Sequence, residues 1–243
     1  MNNLKGEAAE NRRRLGENTY PGRGIVLGRS EDGSRLVQIY WIMGRSENSR
    51  NRIFVREGPR VRTEACDPAR LGDPSLVIYT AMTEAGQDYL VTNGDQTDTL
   101  AETLQAGGTW QDALRTRAHE PDEPNWTPRI SGGLRLGEGP LAWLSIVKAD
   151  PFDPAHSLRF FFEYDRLEPG YGRCITTYRS DGTPLPPYSG EPMLVPLYGE
   201  VSNLAHDVWQ RLNEQNRISL ALKLIDPATG ASETEVINKY SRP

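Results

Sequence analysis

Residues 44–52, GRSENSRNR, set the guanidiniums of Arg45, Arg50 and Arg52 among the hydroxyls of Ser46 and Ser49 and the amides of Asn48 and Asn51. A planar guanidinium fork matches the oxygens of a phosphate or carboxylate, and neighbouring amides and hydroxyls complete such a cradle. Each charged hydrogen bond of this kind contributes roughly 1.5–3 kcal/mol. The same composition also suits a solvated loop, so position matters. The run follows IYWIM, residues 39–43, which reads as a buried strand, and the cradle would therefore stand at a strand end.

Two further stretches carry candidate chemistry. VTNGDQTDTL, residues 91–100, passes from a strand through Asn93 and Gly94 into a helix, and would aim backbone N–H groups and hydroxyls at one spot near the helix start. Capping explains any one of Asp95, Thr97 or Asp98 but hardly all three. HEPDEPNWTPRISGG, residues 119–133, brings Glu120, Asp122 and Glu123 ahead of Arg129 in a proline-stiffened loop, where the acids are either general bases or surface charge. A GxSxG nucleophile elbow and a GxxxxGK[ST] phosphate loop are both absent. GRGIVLG, residues 22–28, is a poor dinucleotide fingerprint, since no strand precedes it and no helix follows. Cys66 and Cys174 lack CxxC spacing, and His119, His156 and His206 are scattered, so neither a disulfide framework nor a metal site is expected, and no cofactor.

The elements that must hold these groups are mostly strands. RGIVLGRS and SRLVQIYWIM pair through a turn at Glu31, Asp32 and Gly33, and SLVIYTAMTEAGQDYLVTN repeats the plan with a turn at residues 84–87. TDTLAETLQAGG and WQDALRTRAHE predict two consecutive helices, the second capped by Thr109 with Asp112 three residues on. Strands resume at TPRISGGLRL, LAWLSIVKA, SLRFFFEYD and GRCITTYRS; TPLPPYSGEPMLVP predicts an extended loop or lid. NLAHDVWQRLNEQ predicts an amphipathic helix, and NRISLALKLID with SETEVINKY a closing hairpin. Antiparallel strands with helices in two sets make an α+β layered domain rather than a doubly wound one.

The bulk numbers narrow the class. A length of 243 residues suits one large domain, expected here over residues 20–243, with the polar, Arg-rich residues 1–19 as a flexible arm or docking extension. A formal net charge of -5, from 33 acidic and 28 basic side chains, argues against a nucleic-acid binder. No apolar run is long enough to cross a bilayer and the first residues lack the centre of a signal peptide, so no membrane partner and a cytoplasmic location are expected.

Taken together, YPGRGIVLG, GRSENSRNR, DPSLVIY, VTNGDQTDTLAETL and NWTPRISG resemble the archaeal-type inosine monophosphate cyclohydrolase family, in order and approximate spacing from Tyr20 to about Gly132 and more weakly to about residue 215. The resemblance implies a four-layer αββα sandwich like that of N-terminal-nucleophile hydrolases. It implies closure of 5-formamidoimidazole-4-carboxamide ribotide to inosine monophosphate with loss of water, the last step of purine synthesis. Its motifs carry three catalytic candidates onto this chain: Arg52 to polarise an oxygen, Tyr79 to relay a proton or donate to the oxyanion, and Glu120 as acid or base. An inserted Trp126 makes Glu123 an alternative for that last role. Arg23, Arg45, Ser46, Asn51, Asn93, Thr97, Asp98, Glu123 and Arg129 would line the ribotide. Two other readings stay open: a ribotide-binding protein without turnover, and an amidohydrolase using Thr19 after cleavage before that residue. A homo-oligomer with an isologous interface is the default assembly.

Overall fold

Leu36–Met43 is buried at all eight positions, on both faces of its strand, so the sheet that contains it must be covered twice. The structure, a computed structural model, describes residues 2–242. It consists of two antiparallel sheets and a few helices. The first has six strands in the order β11 (Met193–Pro196), β10 (Tyr171–Thr176), β1 (Gly24–Arg29), β2 (Leu36–Met43), β12 (Arg217–Ile225) and β13 (Ser232–Asn238). The second has seven, in simple sequence order: β3 (Arg52–Glu57), β4 (Arg60–Ala65), β5 (Thr80–Ala85), β6 (Asp88–Thr92), β7 (Arg129–Arg135), β8 (Ala142–Ala149) and β9 (Ser157–Tyr164).

Side chains alternate across each strand and sort into three apolar clusters. Tyr40 and Ile42 of β2 join Ile25, Val91, Ile130 and Leu144 in a cluster drawn from both sheets. Their neighbours Ile39 and Trp41 face the other way, onto Leu204, Ala205 and Trp209 of α5 (Leu204–Arg211). On the second sheet, Leu90 and Trp143 meet Leu100 of α3 (Gln96–Gln105) and Trp110 and Leu114 of α4 (Trp110–Arg115). Trp110 stacks flat on Trp143, with ring centroids 4.4 Å apart. Each such buried side chain contributes roughly 1.5–3 kcal/mol. Among the described residues no helix is long and apolar enough to cross a membrane.

Local signals behave as the sequence predicts at several joints. Gly33 adopts φ 72° in the β1–β2 turn, and the Thr109 hydroxyl accepts from the Asp112 amide at 3.1 Å to start α4. Three segments differ. The polar start of the chain, expected as a flexible arm or docking extension, is helix α1 (Asn2–Glu17), docked on the first sheet. Ala8 is fully buried and the half-buried Leu15 packs on the cluster under the first sheet. The Asn11 amide donates to Leu194 O at 3.0 Å, and Arg13 joins Glu10 and Glu17 in pairs one helical turn apart. So few apolar contacts in sixteen residues leave no period to read. The proline-rich loop includes strand β11, and the basic run after Met43 leads into the β3–β4 hairpin, which the sequence pattern leaves undivided.

Candidate active site

Strand β2 ends at Met43, and the chain must reverse within a few residues to enter β3 on the other sheet. The one-turn helix α2 (Glu47–Arg50) does this. Ser46 caps it, its hydroxyl accepting from Ser49 N at 3.2 Å while Ser46 N donates to the Ser49 hydroxyl at 3.0 Å. Gly44 is required here, because a Cβ would lie 2.7 Å from Ser49 O. The reversal delivers Arg52, 1% exposed, into the inter-sheet space. Its Nε donates to Ser49 O at 2.8 Å and Nη2 to Met43 O at 3.1 Å. Both acceptors are carbonyls, and no carboxylate among the described residues pairs with this guanidinium. A buried charge without a countercharge is costly, which marks the position.

The groups near Arg52 complete a polar nest. Tyr79, just before β5, meets Tyr40 of β2 hydroxyl to hydroxyl at 2.7 Å. Burial pushes the Tyr79 phenol up, while the positive charges of Arg52 and Arg23 pull it back; burial likewise holds Tyr40 well above the ordinary tyrosine value. Arg23, on the approach to β1, donates from Nη2 to Glu120 Oε1 at 2.5 Å, and its buried Nε has no partner. Burial opposes the Arg23 charge, but Glu120 and the phenols of Tyr178, Tyr79 and Tyr40 outweigh it and keep the guanidinium charged. Burial pushes the Glu120 carboxyl above its usual range, with Arg23 opposing. Tyr178 shares a hydrogen bond with the Thr127 hydroxyl, and burial moves its phenol up to about 12. With Glu120 ionised the nest holds two guanidiniums against one carboxylate. It can accept an anion, support negative charge developing on oxygen, and move protons through phenols and an acid of raised pKa.

A family model described as IMP cyclohydrolase-like protein matches residues 20–230, a range that includes every member of this nest. The chain belongs to that family. Relatives named IMP cyclohydrolase include one from Methanopyrus kandleri, 31% identical over 163 residues that make up 65% of this chain and 75% of the relative. Another, from Methanosphaera stadtmanae, is 27% identical over 165 residues, 65% of this chain and 73% of its own. The Haloquadratum walsbyi relative is 27% identical over 135 residues, 54% and 63% of the two chains.

In this IMP cyclohydrolase-like chain Arg23, Arg52, Tyr79 and Glu120 converge, whereas most of the other anticipated residues are engaged in the framework. Arg45 is exposed, lying 4.8 Å over the Tyr20 ring and paired with Asp181. Asn51 exchanges hydrogen bonds with the backbone of Asp67, at 2.8 Å to the carbonyl and 2.7 Å from the amide. Asn93 has its amide fully engaged. Nδ2 donates to Pro128 O at 2.9 Å and Glu120 Oε1 at 3.3 Å, and Oδ1 accepts from Ile130 N at 2.8 Å and Gln96 Nε2 at 3.0 Å. Thr97 bonds Thr92 at 2.6 Å, and Arg129 is clamped by Asp95 at 2.6 Å and Gln96 at 2.8 Å, though its charge still reaches Glu120. Asp98 and Glu123 are exposed. The sequence reading missed Tyr40 and Tyr178. Tyr40 had one usable signal: it shares the inward phase of Ile42, and a buried phenol needs a partner for its hydroxyl.

Proposed function

We propose that this chain closes 5-formamidoimidazole-4-carboxamide ribotide to inosine monophosphate. The carboxamide nitrogen attacks the formyl carbon, a C–N bond forms, the formyl oxygen becomes a hydroxyl, and that hydroxyl leaves as water. Both reacting groups already sit on adjacent ring carbons, so the gain of roughly 7–11 kcal/mol that gathering two reactants can bring lies mostly in the substrate. Electrostatics must supply more. An amide nitrogen is a weak nucleophile and a formamide a weak electrophile. A donor aimed at the developing oxyanion is worth about 2.7–4 kcal/mol.

The observation that carries this reading is Arg52, buried against carbonyls alone beside the Tyr40–Tyr79 pair. In the proposed mechanism Arg52 polarises the formyl or carboxamide oxygen and Tyr79 passes a proton between nitrogen and departing hydroxyl. Glu120, its carboxyl pushed up by burial, serves as acid and base. Arg23 holds Glu120 in place at 2.5 Å and leaves its Nε for a substrate oxygen. The names of the archaeal relatives support the same substrate. We read the two sheets and their outer helices as a four-layer αββα sandwich of the N-terminal-nucleophile hydrolase kind, and residues 20–243 as one domain. The deciding experiment supplies purified protein with the formamido ribotide and follows the absorbance of the new bicyclic ring. Binding without that absorbance change would overturn the assignment.

A further inference from the structure

Two antiparallel sheets have four edges, and each exposes a row of backbone groups that invites another strand. Three are managed. Helix α1 lies along β11, with Asn11 Nδ2 on Leu194 O at 3.0 Å. The side chain of Asn238 occupies the edge of β3, accepting from Phe54 N and donating to Phe54 O, both at 2.9 Å. Strand β13 carries Glu233 and Glu235, exposed charges of one sign that discourage pairing with a second copy. Strand β9 has no such device. It ends the seven-stranded sheet with the sequence SLRFFFEY, and no strand pairs with its outer side among the described residues. Phe160 is 40% exposed, and Phe161, Phe162 and Tyr164 are only half-buried. Its two exposed charges, Arg159 and Glu163, are of opposite sign.

The strand is therefore complementary to itself. Phe161 packs edge-on against Trp110, so Arg159 and Glu163, two residues to either side, share the helix-bearing face. We propose that β9 pairs antiparallel with β9 of a second copy, about a two-fold axis through Phe161, joining two seven-stranded sheets. That register sets Arg159 opposite Glu163 of the second copy twice, Phe161 against Phe161, and Phe160 against Phe162 on the other face. Opposite charges and aromatic pairs are the favourable cross-strand neighbours. A slip of two residues sets Glu163 opposite Phe161 or Ser157 instead; the first slip leaves Arg159 only Asp165, past the end of the strand, and the second sets it opposite Phe161. The same pairing brings the turn before β9, with Phe152 96% exposed, alongside the second copy's chain past Tyr164.

Sedimentation equilibrium of the full chain at micromolar concentrations tests this. The wild type sediments as a dimer. Arg159→Glu and Glu163→Arg each set like charges opposite one another at two symmetric places and weaken the dimer about tenfold. The double variant restores opposite charges and returns the dimer to near wild-type strength. Arg159 also donates to Arg117 O at 2.7 Å, and Glu163 accepts from Gln111 Nε2 at 2.8 Å, so thermal melts must accompany these variants. Phe161→Cys gives an independent reading, since mild oxidation links two copies by a disulfide at position 161 while the parent chain stays unlinked. A monomeric wild type, a dimer indifferent to both single reversals, or failure of the F161C chain to cross-link overturns the proposal.

Discussion

Two buried cations stand at opposite ends of the space between the sheets. At one end Lys223 of β12, fully buried, donates to Glu84 Oε1 and Pro59 O, each at 2.7 Å, and Ser232 donates to the same carboxylate oxygen at 2.7 Å. Gln38, opposite Lys223 on β2, donates to Tyr89 O at 3.0 Å. Burial pushes the Lys223 ammonium down and Glu84 pulls it back. At the other end Arg52 reaches only carbonyls. The first charge is neutralised by the fold itself; the second has no carboxylate partner among the described residues, which suits the oxygen-polarising role proposed for it. A buried cation is therefore read by asking where its countercharge comes from, since burial alone does not separate scaffold from site.

Substitutions at the two ends should break or sharpen this contrast. Arg52→Ala should lower kcat/KM by about 10²–10³-fold, the cost of one oxyanion donor, in initial-rate assays on folded protein. A loss under about tenfold would place Arg52 with the scaffold cations. Glu84→Gln leaves the Lys223 ammonium buried without a countercharge and should remove about 3 kcal/mol of unfolding free energy in a denaturant titration, with kcat/KM kept within about twofold. Equal losses of stability and activity would erase the distinction between the ends.

Glu120 predicts a pH effect. Its folded-state pKa lies above the unfolded value, so its contribution to stability is full below the unfolded pKa and is lost as pH rises through the folded one. The acid limb of the pH–rate profile should lie above the ordinary glutamate range and vanish in Glu120→Gln. The smallest effect belongs to Glu123, which is exposed. Glu123→Gln should leave kcat/KM within about twofold, and a large loss would move the acid–base role to it.

Much of the framework was legible because its determinants are local. Gly33 in its turn, Thr109 and Asp112 at the start of α4, and the apolar face of α5 all act within a few residues. Helix α1 was not legible, because its place depends on contacts with β11, nearly two hundred residues away. The loop after Met43 announced its charge but not its division of labour. Arg45, Ser46, Arg50, Asn51 and Arg52 look equivalent as a composition, yet only Arg52 is buried, because α2 turns the chain inward at that residue. Arg52, Tyr79 and Glu120 came from a resemblance, and their convergence joins the start of β3, the approach to β5 and the loop between α4 and β7, which no spacing along the chain encodes. Tyr40 was hidden for the opposite reason, since a tyrosine in an apolar strand reads as core.

Asn93 is followed by Gly94, the dipeptide in which spontaneous deamidation is most easily started, by attack of the glycine nitrogen on the side-chain carbonyl carbon. Here the amide is pinned from four directions and cannot swing toward that nitrogen. The bonds that hold the Asn93 amide, one of them to Glu120, thus oppose a chemical clock. Once that clock ran, an aspartate would stand against Glu120, and the damage of ageing would fall on the proposed acid itself.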